Sequence, residues 1–249
     1  KKPIVWFLDD LGQASPAVQA AYMQLILARR CGEHVLPDWV TFVAATNSRT
    51  DRAGVQGILE PVKSRFTTIV HLQPSLDDWC SWAMSPESTI DPMLVAFMRF
   101  KPDLLHSPNP TADLVNSPSP RTWSNCSKIL NMRLSSALEM AATAGAVGEG
   151  AAAEFMAYLR VARDMPSLDG IIAHPDTAEI PAKNPSVMWA VAAGLAHKAT
   201  PQNLAKIAIY LERMVQVAKG DFAAHCLRDA CKRTTTLLTS PAGIKLCAG

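Results

Sequence analysis

The sequence predicts an α/β unit of parallel strands followed by an all-helical region. Two apolar runs near the start, at 4–8 and 38–47, end in polar residues and flank one helical pattern. An unbroken run of β-branched and aromatic residues reads as a strand buried on both faces, as in a parallel sheet. From Pro74 onward the apolar period becomes helical, and the remaining segments are Ala-rich with faces suited to close helix packing. The expected divisions are 1–73 for the α/β part, 74–165 for a first helical part and 166–249 for a helical extension.

Taken in order, Ile4-Val5-Trp6-Phe7-Leu8 is the first strand, running into Asp9-Asp10. Ser15 is a natural N-cap and Pro16 a natural first helical residue. Val18, Tyr22, Leu25, Ile26 and Arg29 share a face of the helix they open, which Cys31-Gly32 stops. Residues 38–47 form the second strand, ending in Asn47. Strand, helix, strand implies a crossover to a parallel neighbour, placing Asn47 near the sheet edge that carries Asp9 and Asp10. A polar loop is expected over 48–54. A short helix follows over 57–63, kinked by Pro61, and then a third strand over 67–72. Ser75 opens a helix with Trp79 and Trp82, and Asp91-Pro92 opens another. After a Pro/Asn/Ser-rich loop, Ser119-Pro120 opens a helix with Arg121 in its first turn. Helices are then expected over 134–143, 151–163, 186–197 and 200–217, with a last one capped by Asp221. Gly145, Gly148 and Gly150 break the first of these, and 166–185 is a long loop.

At 249 residues the chain can bury a sizeable core. With 49% apolar and 18% charged residues it is no disordered tail, and a net charge of +2 gives no electrostatic footprint for nucleic acid. Lys1-Lys2 and the short run after it lack a cleavage site, and no stretch reaches membrane-span length, so no membrane association is expected and the location reads as cytoplasmic. The six cysteines are scattered and read as reduced thiols. His225, Cys226 and Cys231, and His174, Asp176 and Glu179 in the long loop, have metal-ligand types but no spacing that completes a site.

Four positions carry candidate chemistry besides Asp9. Two carboxylates past a buried strand suit a nucleotide site: Asp9 would hold Mg²⁺ through water and Asp10 would polarise the attacking water. Asn47 suits orienting that water, or else it closes a turn. Arg65, at the end of the short helix, suits offsetting charge on a phosphoryl group bound by a neighbouring subunit, or else it is a surface arginine. Arg121 opposes the helix dipole in its first turn, so a bound phosphate or an acid such as Asp113 is its expected partner.

The ordered set resembles the C-terminal two-thirds of MoxR-like AAA+ ATPases of bacteria and phages. Leu8-Asp9-Asp10-Leu11-Gly12-Gln13-Ala14 is similar to the family's Walker B segment and Ala44-Ala45-Thr46-Asn47 to sensor 1. Pro61-Val62-Lys63-Ser64-Arg65-Phe66 is similar to the arginine-finger segment, and Ser119-Pro120-Arg121-Thr122-Trp123 to sensor 2. The resemblance covers residues 1 to about 130. It implies an α/β P-loop NTPase core fragment, then an all-α lid and a C-terminal helical region. It also implies ATP and Mg²⁺ as cofactors, hydrolysis coupled to remodelling of a protein partner, a homo-oligomeric ring that is usually a hexamer, and a von Willebrand A-domain partner. Asp10 departs from the family's usual Glu and reaches one methylene less far. The sequence has no G-x-x-x-x-G-K-[ST], so this polypeptide is expected to bind ATP poorly, and its first strand is expected to follow a missing N-terminal part. A non-hydrolysing scaffold and a nucleic-acid-directed loader are the other readings of the same residues.

Overall fold

The structure, a computed structural model, describes residues 2–47, 57–109, 113–163, 165–218 and 221–248. Strand β1 (Ile4–Leu8) pairs in parallel with strand β4 (Val40–Ala44), in register from Ile4 opposite Val40 to Leu8 opposite Ala44. Helix α1 (Pro16–Leu27) makes the crossover, and its start is set by Ser15, whose Oγ accepts the Val18 N–H at 3.4 Å. A small hairpin of β2 (Arg30–Cys31) and β3 (His34–Val35), turned at Gly32 with φ +60°, follows the helix. Arg29 fastens that hairpin to β4 by donating to the Pro37 and Val40 carbonyls, each at 2.6 Å.

The sheet differs from expectation in two ways. Of the β1 residues only Leu8 is buried, and Val5 is 65% exposed, so β1 is not enclosed on both faces. The third strand does not form: residues 67–72 are irregular, with Ile69, Val70 and Leu72 exposed. A strand exists only by pairing, and among the described residues this stretch has no strand beside it. Helix α2 (Glu60–Lys63) is shorter than expected, and Pro61 sits in its first turn, where a missing N–H costs nothing and no kink results. The expected polar loop at 48–54 lies outside the described residues.

The chain divides into two compact units, Lys1–Gln73 and Pro74–Gly249. Every regular element described in the second is a helix. It contains α3 (Leu76–Ala83), α4 (Pro92–Phe100), α5 (Pro120–Asn131), α6 (Ser136–Val147) and α7 (Glu149–Arg163). These are followed by α8 (Leu168–Ala173), α9 (Pro185–Lys198), α10 (Leu204–Val217), α11 (Phe222–Arg233) and α12 (Pro241–Ala248). Among the described residues side-chain caps set five of these starts: Ser75 accepts the Asp78 N–H, Asp91 the Met93 N–H, Ser167 the Gly170 N–H and Asn184 the Val187 N–H, and Ser119 and Thr122 form a reciprocal capping box.

Glycine positions read as breaks are mostly tolerated. Gly145 lies inside α6 and Gly150 inside α7. The chain turns at Gly148, where φ is +85° and a Cβ would stand 2.9 Å from the Asn116 carbonyl oxygen. The stretch read as a long loop holds α8, whose start is capped by Ser167. Helix α10 begins at Leu204 rather than Thr200, and α12 follows the helix that was expected to be last.

Two sets of contacts build the helical core. Phe97, Trp123, Phe155 and Tyr158 pack ring against ring with centroids 5.0 to 5.7 Å apart, and Trp123 Nε1 donates to the Leu104 carbonyl at 2.6 Å. Helix α9 is buried on nearly every side, from Ser186 to Ala196 apart from Trp189. Against it lie α4 and α11, joined by an ion pair between Arg99 Nη1 and Asp229 Oδ2 at 2.5 Å, with both side chains at most 3% exposed. No helix among the described residues is long and apolar enough to cross a membrane.

Candidate functional site

The parallel ladder outlasts both strands. Ala45 N–H donates to Leu8 O, and Leu11 N–H returns to Ala45 O, each at 3.0 Å. The segment after β4 therefore stays beside the segment after β1, where strand order places ligands in open α/β sheets. Asp10 stands in the left-handed region at φ +51°, ψ 36°, which aspartate tolerates better than most residues. It opens a 3₁₀ turn, Leu11–Gln13, closed by Gln13 N–H donating to Asp10 O at 2.8 Å.

Side chains then tie the two segments together. Gly12 N–H donates to Thr46 Oγ1 at 3.2 Å, and Asn47 Nδ2 stands 3.5 Å from Asp10 Oδ1, the outer limit of a hydrogen bond. Asp9 Oδ1 accepts the Asp10 N–H at 3.1 Å. Asp9, Asp10 and Asn47 are all exposed. Asp9, Asp10 and Asn47 thus come together at one edge, as the strand order predicts.

Two exposed carboxylates suit Mg²⁺, which takes one or two protein carboxylates and keeps waters and substrate phosphates for its other positions. The donor chemistry fits that ion. Asp9 would hold it, and the chemistry it supplies when bound is neutralisation of phosphate charge. A phosphorylated ligand would also call for a glycine-rich loop with a lysine, and the sequence has no G-x-x-x-x-G-K-[ST]. Among the described residues neither His225, Cys226 and Cys231 nor His174, Asp176 and Glu179 forms a group that could hold a metal ion.

The two arginines are placed differently. Arg65 follows α2, half-buried, and its Nη1 donates to the Pro61 carbonyl of its own chain. Arg121 belongs to the helical unit, where it is exposed in the first turn of α5.

Gln19 is the residue that sequence patterns miss. It lies on α1 at 1% exposure, where the helical face calls for an apolar side chain. Its Nε2 donates to the Ala14 carbonyl at 3.0 Å and the Gly57 carbonyl at 2.9 Å, and its Oε1 accepts the Leu59 N–H at 2.9 Å. Gln19 thereby fixes the segment that leads into α2 and Arg65. A lone Gln in a helix carries no sequence signal for this, because two of its three partners lie 38 and 40 residues away.

No family model matches the chain, and neither curated proteins nor solved structures return a match.

Proposed function

We propose that the chain is part of a Mg²⁺-dependent, ATP-hydrolysing motor or chaperone of the MoxR-like AAA+ type that remodels a protein partner in the cytoplasm as a ring, with a hexamer the expected size. The observation that supports this best is the convergence of Asp9, Asp10 and Asn47 at the ends of two parallel strands, with Asp10 held in a left-handed turn. Backbone held in a sparsely populated region is a reason to look for function there. In this reading Asp9 holds Mg²⁺ and Asp10 orients and deprotonates the attacking water. Asn47 Nδ2 steadies the Asp10 carboxylate. The resemblance assigns Arg121 to the phosphates. Arg65 acts on the neighbouring subunit's nucleotide, and to do so it gives up its bond to the Pro61 carbonyl.

The test uses a parent protein that carries a phosphate-binding loop. Asp10→Asn keeps a residue that tolerates the left-handed turn and removes only the charge, so ATP binding should persist while turnover falls by two orders of magnitude or more, on the order expected for loss of a general base. Turnover that stays at the wild-type level removes Asp10 from this role.

The non-hydrolysing scaffold is favoured by one specific feature, the short reach of Asp10 compared with glutamate. Asp10→Glu separates the two: a gain in turnover supports the ATPase, and an inert variant that still binds its partner supports the scaffold.

A further inference from the structure

The buried Gln19 amide touches two segments that carry candidate chemistry. Each Nε2 hydrogen has its own carbonyl, Ala14 at 3.0 Å and Gly57 at 2.9 Å, and Oε1 takes the Leu59 N–H at 2.9 Å. All of these groups lie within the strand unit. An apolar side chain at this position would be buried at no desolvation cost, so what the amide adds is the link itself.

The Ala14 end leads to Asp10. Gln13 N–H donates to the Asp10 carbonyl at 2.8 Å, and Ala14 N–H donates to the Leu11 carbonyl at 3.3 Å. With these two successive bonds, the direction of the Ala14 carbonyl follows the turn that Asp10 opens. The other end leads to Arg65. Leu59 stands just before α2, and its carbonyl accepts the Val62 and Lys63 N–H groups at 2.9 and 3.1 Å. Arg65 N–H then donates to the Val62 carbonyl at 3.1 Å. A helix of four residues does not hold itself in water. The fully buried Val62 and the Gln19 amide locate it.

We infer that Gln19 is a positioning residue that couples the Asp10 turn to the segment carrying Arg65, so that a shift of the turn is passed to the arginine. In the ATPase reading, on which this use of the coupling rests, the state of a subunit's own site sets the Arg65 it offers to its neighbour.

Amide hydrogen exchange on the 249-residue chain tests the coupling with no nucleotide present. Asp10 is exposed, so Asp10→Val opposes only its left-handed backbone. The Leu59 amide should then exchange about tenfold faster, the factor that goes with one hydrogen bond, while the amides of α9 keep their rates. Asp10→Gly, which frees the turn without straining it, should act in the same direction. In a Gln19→Met background, Asp10→Val should add nothing at Leu59. The inference is overturned if both Asp10 variants leave Leu59 at the wild-type rate, or if Asp10→Val accelerates it equally with Met at position 19. The first comparison decides even if Gln19→Met fails to fold.

The use of the coupling is tested in a parent that carries a phosphate-binding loop. Gln19→Met subunits should lose turnover about tenfold and regain it when mixed with Asp10→Asn subunits, whose own sites are inactive but whose Arg65 is held in place. A residue needed only for the stability of its own subunit is not rescued by a neighbour. Arg65→Ala mixed with Asp10→Asn is the control. Rescue of the control without rescue of Gln19→Met overturns the inference and leaves the ATPase reading standing. A control that is not rescued counts against that reading, and the exchange rates of the chain itself then decide the coupling.

Discussion

In the helical unit Phe97, Trp123 and Phe155 are fully buried, whereas in the strand unit Val5 is 65% and Leu72 is 95% exposed. The strand unit is thus the less enclosed one. It is held by directed polar contacts: Gln19 on the 57–59 segment, Arg29 on two carbonyls, Thr46 on Gly12. The helical unit is held by apolar burial around α9, with a single fully buried charge pair among the described residues. The contrast teaches that the residues with candidate chemistry sit where geometry is set by a few hydrogen bonds, and the bulk of the hydrophobic stabilisation sits elsewhere.

The largest expected effect breaks the helical unit. Asp229→Ala leaves the Arg99 guanidinium buried without its counter-charge, which costs about 3–5 kcal/mol. Urea unfolding followed by tryptophan fluorescence should show the loss, and the pair Arg99→Met with Asp229→Leu should recover most of it, because two apolar side chains carry no desolvation penalty. A double variant as unstable as the single one would mean the pair itself, rather than its imbalance, holds α4 to α11.

Gln19→Ala should act on the other unit. It strands the Leu59 N–H and the Gly57 carbonyl and costs roughly 2 kcal/mol. Hydrogen exchange at α2 should accelerate while the amides of α9 keep their protection. Faster exchange in both would erase the distinction drawn between the units.

A smaller effect is pH dependence in the helical unit. Burial holds the His225 imidazole below its ordinary value near 6.5, and the positive fields of Arg99 and Arg228 add to this. A lowered histidine binds fewer protons folded than unfolded. Its contribution is therefore complete above about pH 6.5 and is lost as pH falls through the folded value. The urea midpoint should fall between about pH 7 and pH 5, and His225→Gln should flatten part of that slope. The same slope in the variant would place the titration on other groups.

The smallest perturbation only sharpens the comparison. Burial pushes the Cys80 thiol up to about 11 and the Cys126 thiol up to about 12, while Cys31 in the strand unit is exposed. Brief treatment with iodoacetamide at mildly alkaline pH should label Cys31 and spare Cys80, Cys126 and Cys226, as mass spectrometry of the peptides would show. Labelling of Cys80 in folded protein would mean the helical core opens readily.

Legibility in the sequence followed the range of the interaction. Ser15, Ser75, Asp91 and Ser119 are helix caps because a side chain reaches a backbone N–H two or three residues on, and such signals are local. The pairing of β1 with β4 was readable because one helix between two apolar runs leaves a parallel crossover as the natural connection. The proximity of Asn47 to Asp10 follows from that pairing. Residues 67–72 have strand composition and no strand, because composition does not supply a partner. The hairpin at 30–35 and the six-residue α8 are too short to show a period. The partners of Gln19 and Arg99 are distant in sequence, so neither contact leaves a mark in it.

Helix α9 has a consequence for how this chain is made. Its neighbours come from both sides of it in sequence, α4 early and α11 late, and Asp229 leaves the ribosome more than half a chain after Arg99. Until α11 has emerged, Arg99 lacks its counter-charge, although α4 can already pack on α9. Pairing of that buried charge is then confined to the end of synthesis. A chain cut near residue 166 would keep the Phe97, Trp123 and Phe155 cluster but leave uncovered the face of α4 that packs on α9, with Arg99 on it.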